Sequence, residues 1–552
     1  MKKIFYAALL ALASFSFNAC DDPKDGITIT LGNDDIFKYK SSFRLTNAKD
    51  GAALPDGISV AITGQDAASI YSLDGKKNFT VTNGVVQFGV DPHVEVTDAR
   101  PLKFNFIVTG ASILDMNFPV MLTKQNQFQE RVLYILDLNN PAPGVSVENF
   151  TFTGDLTAGV ANKNISISSK PENNTNLVTS VTFPNGTQFK NASNQVISGS
   201  ELKATIVNID PRSVAGLRVF PGGSLSSDQI KNSSDQIVAG TFNPATVTDI
   251  ELTIGGQRVA FFDGQQPVVK QDIDPTYVSS QTGRTSQIGD VISVYSYTVA
   301  SGMFDYERVG TVVSSNTGAG VALQYPITHL STYTGSELEG ACTSTTLALQ
   351  GSWMKDGVTY PLRLKIQNVG GANIYETVLS VSNKNNENLV ALQSIPSSNV
   401  RVIVEHASTG QVLANTPIVV NCGGGNIDVT LSAPTEQPVV SLQLYVRCPN
   451  QAQPVEILPT FILYYRPAGS GEFKLLGEVE DGFISTTSLS TTVAYDFRGV
   501  WGSKSKTVNN KTVKAIDINQ ATVGTDKDKG EILGQYAPEN NLKMLQEACN
   551  EL

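Results

Sequence analysis

The chain has 552 residues, 41% of them hydrophobic, with five cysteines and a formal net charge of −11. That length is too great for one core and sets an expectation of three to five units. The acidic balance, with no basic cluster anywhere, excludes nucleic acid as a partner.

In chain order, Lys2 and Lys3 come first, followed by an uncharged, mostly apolar run over residues 4–17, IFYAALLALASFSF. The run is shorter than the ~20 residues that span a bilayer as a helix. It suits the apolar region of a signal peptide. It ends in Phe17, Asn18, Ala19 and Cys20. A small residue directly before a cysteine is what a lipoprotein signal peptidase accepts. Residues 1–19 are therefore expected to be removed, leaving Cys20 as an acylated N-terminus that carries palmitate-type chains. Two or three chains anchor stably where one does not. An ordinary secretory signal that happens to contain a cysteine is the alternative. Loss of Lys2 and Lys3 lowers the net charge by two, from −11 to −13.

Phe17 and Asn18 depart from the strictest form of this cleavage motif and resemble the relaxed form of Bacteroidota-type lipoproteins. The tether that follows, Asp21, Asp22, Pro23, Lys24, Asp25 and Gly26, is similar to the acidic export signals of such lipoproteins. That resemblance implies a place on the outer face of the outer membrane. A plain solvated linker with a periplasm-facing anchor is the other reading. Beyond residue 20 no stretch approaches ~18 uncharged apolar residues, so no further membrane span is expected.

Strand signals then recur about every ten residues, with turn residues between them. Phe37, Tyr39, Phe43 and Leu45 alternate with polar residues, which reads as a half-buried edge or antiparallel strand. Phe79, Thr80 and Val81 lead into Asn83-Gly84, a hairpin marker because both residues tolerate positive φ. Such spacing predicts all-β architecture, with tandem antiparallel sandwiches rather than βαβ units. Expected boundaries are a tether at 20–26, a sandwich at 27–123, a β-rich region at 127–335, a β domain at 340–396, a sandwich at 397–500 and a tail at 501–552. A seam near Asn243-Pro244 would divide the second region. Leu542, Leu545, Cys549 and Leu552 fall on one face at helical spacing, so a short helix is expected at the end.

Within 180–335 stand Thr182, Phe183, Pro184, Asn185, Gly186, Thr187 and Phe189, then Pro221-Gly222-Gly223, then Gly302 through Phe304, Glu307 and Gly310, then Thr328, His329, Leu330, Ser331 and Tyr333. This order resembles a Bacteroidota lipoprotein family and extracellular modules of the cartilage-intermediate-layer kind. Phe304 stands where that pattern has tryptophan, and Asn185 where it has a small residue. The resemblance implies a surface β module and brings no catalytic residue. The first unit resembles transthyretin-like or carboxypeptidase-regulatory-like sandwiches. Residues 460–476, with strand signals on both sides of Pro467, Gly469 and Gly471, resemble a fibronectin-III-like hairpin. These are Ig-like fold analogies, and fold alone does not give function.

Four cysteines remain after Cys20. An even number in an oxidising compartment predicts two disulfides, with three possible connectivities. Cys448 shares a face with Val440, Leu442, Leu444 and Val446, and Cys422 shares one with Ile418 and Val420. The favoured pairing is Cys422–Cys448, and by exclusion Cys342–Cys549, with buried free thiols as the alternative.

No sequence motif of a known catalytic site appears. His329 lies within the Thr328–Tyr333 stretch of the module resemblance, which implies a structural hydrogen-bonder; His406 reads as a strand-end residue on the face of Val400, Val402 and Val404, and His93, near Glu95, as a loop residue. The acidic clusters are Asp34-Asp35, Asp272 with Asp274, and Asp526 to Glu531. The last places glycine fifth rather than sixth and interleaves lysines, which opposes a cation. No cofactor is expected, with structural calcium as the alternative at the last two clusters. Glycan platforms are exposed aromatics, and the candidates are Trp353, Tyr464 and Tyr465, one of the two tyrosines being expected to face outward. The expected function is non-enzymatic adhesion, scaffolding or ligand capture at the envelope. The expected partners are the membrane through the N-terminal lipid and an extracellular protein or glycan. The alternatives are a carbohydrate-binding lipoprotein of a glycan-uptake system and an envelope hydrolase.

Overall fold

The computed structural model describes residues 29–32 and 37–513, apart from 98, 125–127, 319, 369–372, 384–387, 421, 424, 436–439, 444–445, 449–454, 459 and 481. The signal peptide, Cys20, the tether, Asp34-Asp35, the 526–531 cluster and the C-terminal segment with Cys549 lie outside them. The described chain is all-β, with one four-residue helix, Val214–Leu217, and two short 3-10 turns. It forms two compact units. One holds Phe37–Gly357 with Pro361–Thr435, and the other holds Val358–Tyr360 with the described residues before 37 and after 435.

The larger unit starts with a sandwich. Its inner layer is part of an eight-stranded sheet containing Lys40–Asn47, Val85–Val90 and Phe128–Ile135. The facing layer is Ser59–Thr63, Leu102–Thr109 and Met116–Leu122. Leu102–Thr109 alternates buried and half-buried residues without a break, the period-2 signature of a strand with one face on a core. Phe43, Phe88, Phe104 and Phe106 meet edge to face at 4.8–5.4 Å between ring centres, the geometry their quadrupoles favour. Fully burying one such ring contributes ~1.5–3 kcal/mol.

Lys40–Asn47 is not an edge strand. It lies between Val85–Val90, antiparallel, and Phe128–Ile135, parallel. Its polar residues Ser41 and Ser42 are buried as well as its apolar ones, Ser41 on the core face with Phe43 and Leu45 and Ser42 on the opposite face. At Asn83-Gly84 both φ values are positive, 52° and 77°, and Thr82 bridges Val85 across the turn. The turn forms as expected, but Phe79 and Val81 pack on the core without forming a regular strand.

The next region is built on a fourteen-stranded sheet with two long central strands, Ile237–Ile254 and Thr332–Gln350. They pair antiparallel from Gly240↔Gly340 to Asp249↔Thr332. The register shifts between Pro244 and Thr246. Proline lacks the N–H of a ladder bond and is tolerated at a bulge. Asn243-Pro244 is therefore a kink inside one strand rather than a seam between domains. Thr332–Gln350 likewise runs through the boundary expected between 335 and 340. Its second half pairs with Leu389–Pro396 and Ile427–Thr430, which ties 340–435 to the same unit.

The disulfide here is Cys342–Cys422, with Cα atoms 5.1 Å apart and 80 residues between them in sequence. This corrects both favoured pairings, Cys422–Cys448 and Cys342–Cys549. Cys342 is buried at 2% on the long strand, and Cys422 follows strand Val412–Val419 in a turn. Periodicity placed Cys422 on the face of Ile418 and Val420, but the strand ends at Val419 and Cys422 lies exposed in the turn beyond it. Closing a loop of that length removes denatured-state entropy worth ~4 kcal/mol.

In the second unit, Phe461–Pro467 and Lys474–Val479 form the expected hairpin. Ala494–Trp501 and Lys504–Thr512 extend it to four strands. Its core includes Leu463, Tyr465, Leu476, Tyr495 and Phe497. Ile29–Gly32 pairs parallel with Val455–Leu458 in a separate three-stranded sheet of this unit.

Candidate functional site

On strand Phe128–Ile135, Leu133 and Ile135 enter the core of the first sandwich. Arg131, two residues before Leu133, shares that face, and Glu130 takes the opposite one. Glu130 is fully buried and accepts from Arg44 Nε at 3.1 Å. Arg131 meets no carboxylate among the described residues. Its Nη1 donates to the Pro119 carbonyl at 3.3 Å, and its guanidinium stands 5.8 Å from the centre of the Tyr375 ring. Burial pushes its pKa down, while Tyr375 and Tyr297 act in the opposite sense. Arginine nevertheless keeps its charge at any ordinary pH.

Arg131 lines a cleft with Pro119, Tyr375, Gly222, Phe304 and Ser227, and Ser224 and Ser226 complete the wall. The cleft encloses about 410 Å³ of open space, solvent at its mouth included. The Pro221-Gly222-Gly223 turn shapes one side. Gly223 has φ +68°, and a Cβ there would sit 2.5 Å from the Phe118 ring. Only glycine lets this turn lie against the first sandwich. Phe304 is buried at 1% and packs on Phe242 and Tyr297 with ring centres 4.6 Å away. Tyr297 donates its hydroxyl to the Asn117 carbonyl at 2.6 Å, which locks the hairpin carrying Phe304 to the first sandwich. Ser224 Oγ donates to the Ile374 carbonyl at 2.7 Å. Ser227 Oγ accepts from the Gln229 N–H at 3.0 Å and keeps its own proton to give.

A second polar cluster lies in the region of the module resemblance. In the hairpin of Val291–Thr298 and Met303–Ser314, Tyr295 pairs with Tyr306 and Val294 with Arg308. Glu307 is thus the extra residue of a β-bulge, a device that re-aims a side chain. Its Oε1 accepts from Ser296 Oγ at 2.6 Å and lies 2.9 Å from His329 Nε2. The other imidazole nitrogen is 3.3 Å from the Leu330 carbonyl, and Tyr333 donates its hydroxyl to the His329 carbonyl at 2.5 Å. Burial works to lower the His329 pKa, but the hydrogen bond and charge of Glu307 outweigh it and the net shift is upward.

Serine, glutamate and histidine are together here, but their order is wrong for hydrolysis. A nucleophilic serine must give its proton to histidine, with the acid behind the imidazole. In this cluster the carboxylate sits in the middle and accepts from both. The cluster is a brace, and His329 is the hydrogen-bonder the sequence indicated.

The other sequence candidates are dispersed. Tyr464 and Tyr465 are both buried, at 1% and 3%, which corrects the expectation that one faces outward. Layers cover both faces of their strand. Trp353 is half-buried, and its indole N–H donates to the Leu431 carbonyl at 3.1 Å. Trp353 belongs to the larger unit and the two tyrosines to the other. His406 is buried at the end of strand Asn399–His406. His93 is exposed and lies 2.9 Å from Asp91 rather than beside Glu95. Asp272 accepts from the N–H groups of Val178 and Asn316, and Asp274 from that of Thr276. These carboxylates hold backbone donors in place. Among the described residues no group of three or more acidic, histidine or cysteine side chains is placed to hold a metal.

The sequence reading passed over Arg131. Its signal was present as a charge on the apolar face of a strand, in register with Leu133 and Ile135.

No family model and no curated protein matches the chain. Among solved structures it is similar to the major pilin subunit BcpA of Bacillus cereus, at 10% identity over 71% of this chain and 99% of that one, with a TM-score of 0.14. A streptococcal ancillary pilin aligns at 9% identity over 72% and 99%, with a TM-score of 0.16. The Bacillus anthracis TIE protein aligns at 9% identity over 68% and 58%, with a TM-score of 0.13.

Proposed function

We propose that this chain is an exported, lipid-anchored, non-enzymatic protein of the cell envelope that serves adhesion, scaffolding or ligand capture from the outer face of the outer membrane. The observation that carries this reading is Ala19-Cys20 directly behind a basic start and a short apolar run. No helix among the described residues is long and apolar enough to cross a membrane, so an N-terminal lipid is the attachment this reading relies on. Strand Ile29–Gly32 begins nine residues after Cys20. A fully extended chain of that length reaches ~30 Å, so the anchor holds the unit containing this strand close to the bilayer. The non-enzymatic part is supported by the wiring of Ser296, Glu307 and His329, which braces a bulge and activates no nucleophile.

The test is protease shaving of intact cells together with palmitate labelling, comparing the natural chain with Cys20→Ala. The natural chain is expected to be labelled, to sediment with membranes and to be cleaved from outside. The variant is expected to lose label and membrane association together. A chain that is protected in intact cells and cleaved only after the outer membrane is opened would be a periplasmic scaffold instead.

A further inference from the structure

We propose that strand Val145–Thr153 pairs antiparallel with the same strand of a second copy of this chain, about a two-fold axis at Thr151. The strand closes one end of the fourteen-stranded sheet, and among the described residues it pairs with Glu201–Ile209 alone. The strand at the other end, Ile165–Ser168, is only four residues long. An edge strand is a template for another chain unless it is short, charged, bulged or broken by proline. The first half of Val145–Thr153 is guarded. The Val147 N–H donates to Glu172 Oε1 at 3.2 Å, Asn173 Nδ2 donates to the Val145 carbonyl at 3.1 Å, and Glu148 is paired with Lys170 at 2.9 Å. The second half, Asn149, Phe150, Thr151, Phe152 and Thr153, has no charge and no proline. Its ladder with Glu201–Ile209 runs without a register shift.

The guards also show which way the backbone faces. Val145 and Val147 turn their polar groups to the free edge, and that direction alternates along an antiparallel strand. Asn149, Thr151 and Thr153 therefore present their N–H and C=O groups outward. Gly154, of the other parity, donates to the Ser200 carbonyl on the inner side. A pairing centred on Thr151 sets that residue opposite its own copy and Asn149 opposite Thr153, and each of these pairs exchanges two hydrogen bonds. It also sets Phe150 opposite Phe152 of the second copy, in the position where side chains come closest. The two rings of one chain are half-buried, 6.1 Å apart and 11° from parallel, and pack on the core beneath the sheet. Aromatic pairs across strands are favourable, and no like charges face each other, since Glu148 falls opposite Gly154. Moving the centre to Phe150 would set Glu148 against Phe152 and would need the Val147 N–H, which Glu172 holds. The segment is thus complementary to itself in one register, which selects a second copy as its partner.

The experiment is oxidation of intact cells that carry the full chain with one added cysteine, read as dimer on a non-reducing gel. The natural chain gives the baseline for its own cysteines. Across the axis two copies of residue 151 have Cα atoms ~5.5 Å apart, within reach of a disulfide. Two copies of residue 153 stand four residues apart along the strand, ~14 Å. Thr151→Cys is expected to give dimer severalfold above the baseline and Thr153→Cys to stay at it. Asn149→Cys and Thr153→Cys chains expressed together are expected to link to each other. Adding Thr151→Glu to both is expected to lower that linking about tenfold or more, because two carboxylates then meet on the axis. Within its own chain residue 151 lies opposite Lys203, so the new acid has a partner and the fold is kept. Baseline linking at 151, equal linking at 151 and 153, or linking indifferent to Thr151→Glu overturns the proposal. A link from Thr151→Cys to a different protein overturns the second copy as the partner. None of these results bears on the lipid anchor, which label at Cys20 reports separately.

Discussion

Glu307 and Asp249 are carboxylates on the same fourteen-stranded sheet, and their acidities move in opposite directions. Each accepts a hydroxyl at 2.6 Å, Glu307 from Ser296 and Asp249 from Thr332. Burial pushes both upward. At Glu307 the bonds from His329 and Ser296 and the imidazole charge outweigh burial, and its pKa falls below the ordinary 4.5. At Asp249 burial is reinforced by Glu251, and its pKa is pushed up to about 7. Its second oxygen is buried without a hydrogen-bond donor. The backbone accounts for the difference. Glu307 is the extra residue of a bulge, free to turn toward a partner. Asp249 sits in a regular ladder between Val207 and Thr332, where its direction is fixed by the pleat. A buried carboxylate on this sheet is stabilising or costly according to how many donors the local backbone lets it reach.

A third carboxylate gives the most severe test of that rule. Glu130 is fully buried, with Arg44 on one oxygen and no hydrogen-bond donor on the other. Arg44→Met keeps the volume of the arginine stem and removes the charge. It is expected to cost about 3–5 kcal/mol in urea unfolding of the full chain, because it strands a buried charge. Adding Glu130→Leu is expected to recover most of that loss. A single-variant loss under about 1 kcal/mol would mean that Glu130 is held by something other than this pair.

Asp249→Asn is expected to act in the opposite direction. A carboxyl whose folded pKa lies above its unfolded value of 3.8 costs nothing below pH ~4. The cost grows as pH rises and is complete above about 7. Asparagine keeps the acceptor for Thr332 and removes the charge. The variant is expected to match the natural chain near pH 4 and to be more stable by on the order of 2 kcal/mol at pH 8. Thermal melts across that range would read the trend, and a flat difference would show that Asp249 is not the titrating group.

How much of this was legible in the sequence follows from what each signal encodes. Period-2 alternation and turn residues gave the all-β class, the Asn83-Gly84 turn and the 460–476 hairpin, because all of these are local. The pairing of Cys342 with Cys422 was not legible, since face periodicity says nothing about which distant strand lies opposite. Asn243-Pro244 looked like a seam because proline breaks a ladder, but a bulge absorbs it within one strand. Tyr464 and Tyr465 looked half-exposed because alternation assumes one solvent face, and here a second layer covers it. His329 was marked as a hydrogen-bonder by the module resemblance, but its partner Glu307 depends on a bulge, which is a property of two strands together. Arg131 was the readable signal, a charge in register with core residues.

The smallest effect separates a brace from a catalytic pair. His329 has a raised pKa, so its contribution is complete below its ordinary 6.5 and is lost as pH rises through the higher folded value. Glu307 has a lowered pKa, so its contribution is complete above 4.5 and is lost as pH falls through the lower folded value. The pair is therefore strongest between about pH 4.5 and 6.5. Asp305 adds to the effect on His329 and Arg308 to that on Glu307. The side chains are 26% and 20% exposed, so water screens part of the interaction, and His329→Gln is expected to cost about 1 kcal/mol at most. Melting temperatures of the two chains should differ most inside that window and converge on both sides. A difference that keeps growing above pH 8 would assign the role of His329 to packing against Tyr333, 5.7 Å away between ring centres, rather than to its charge.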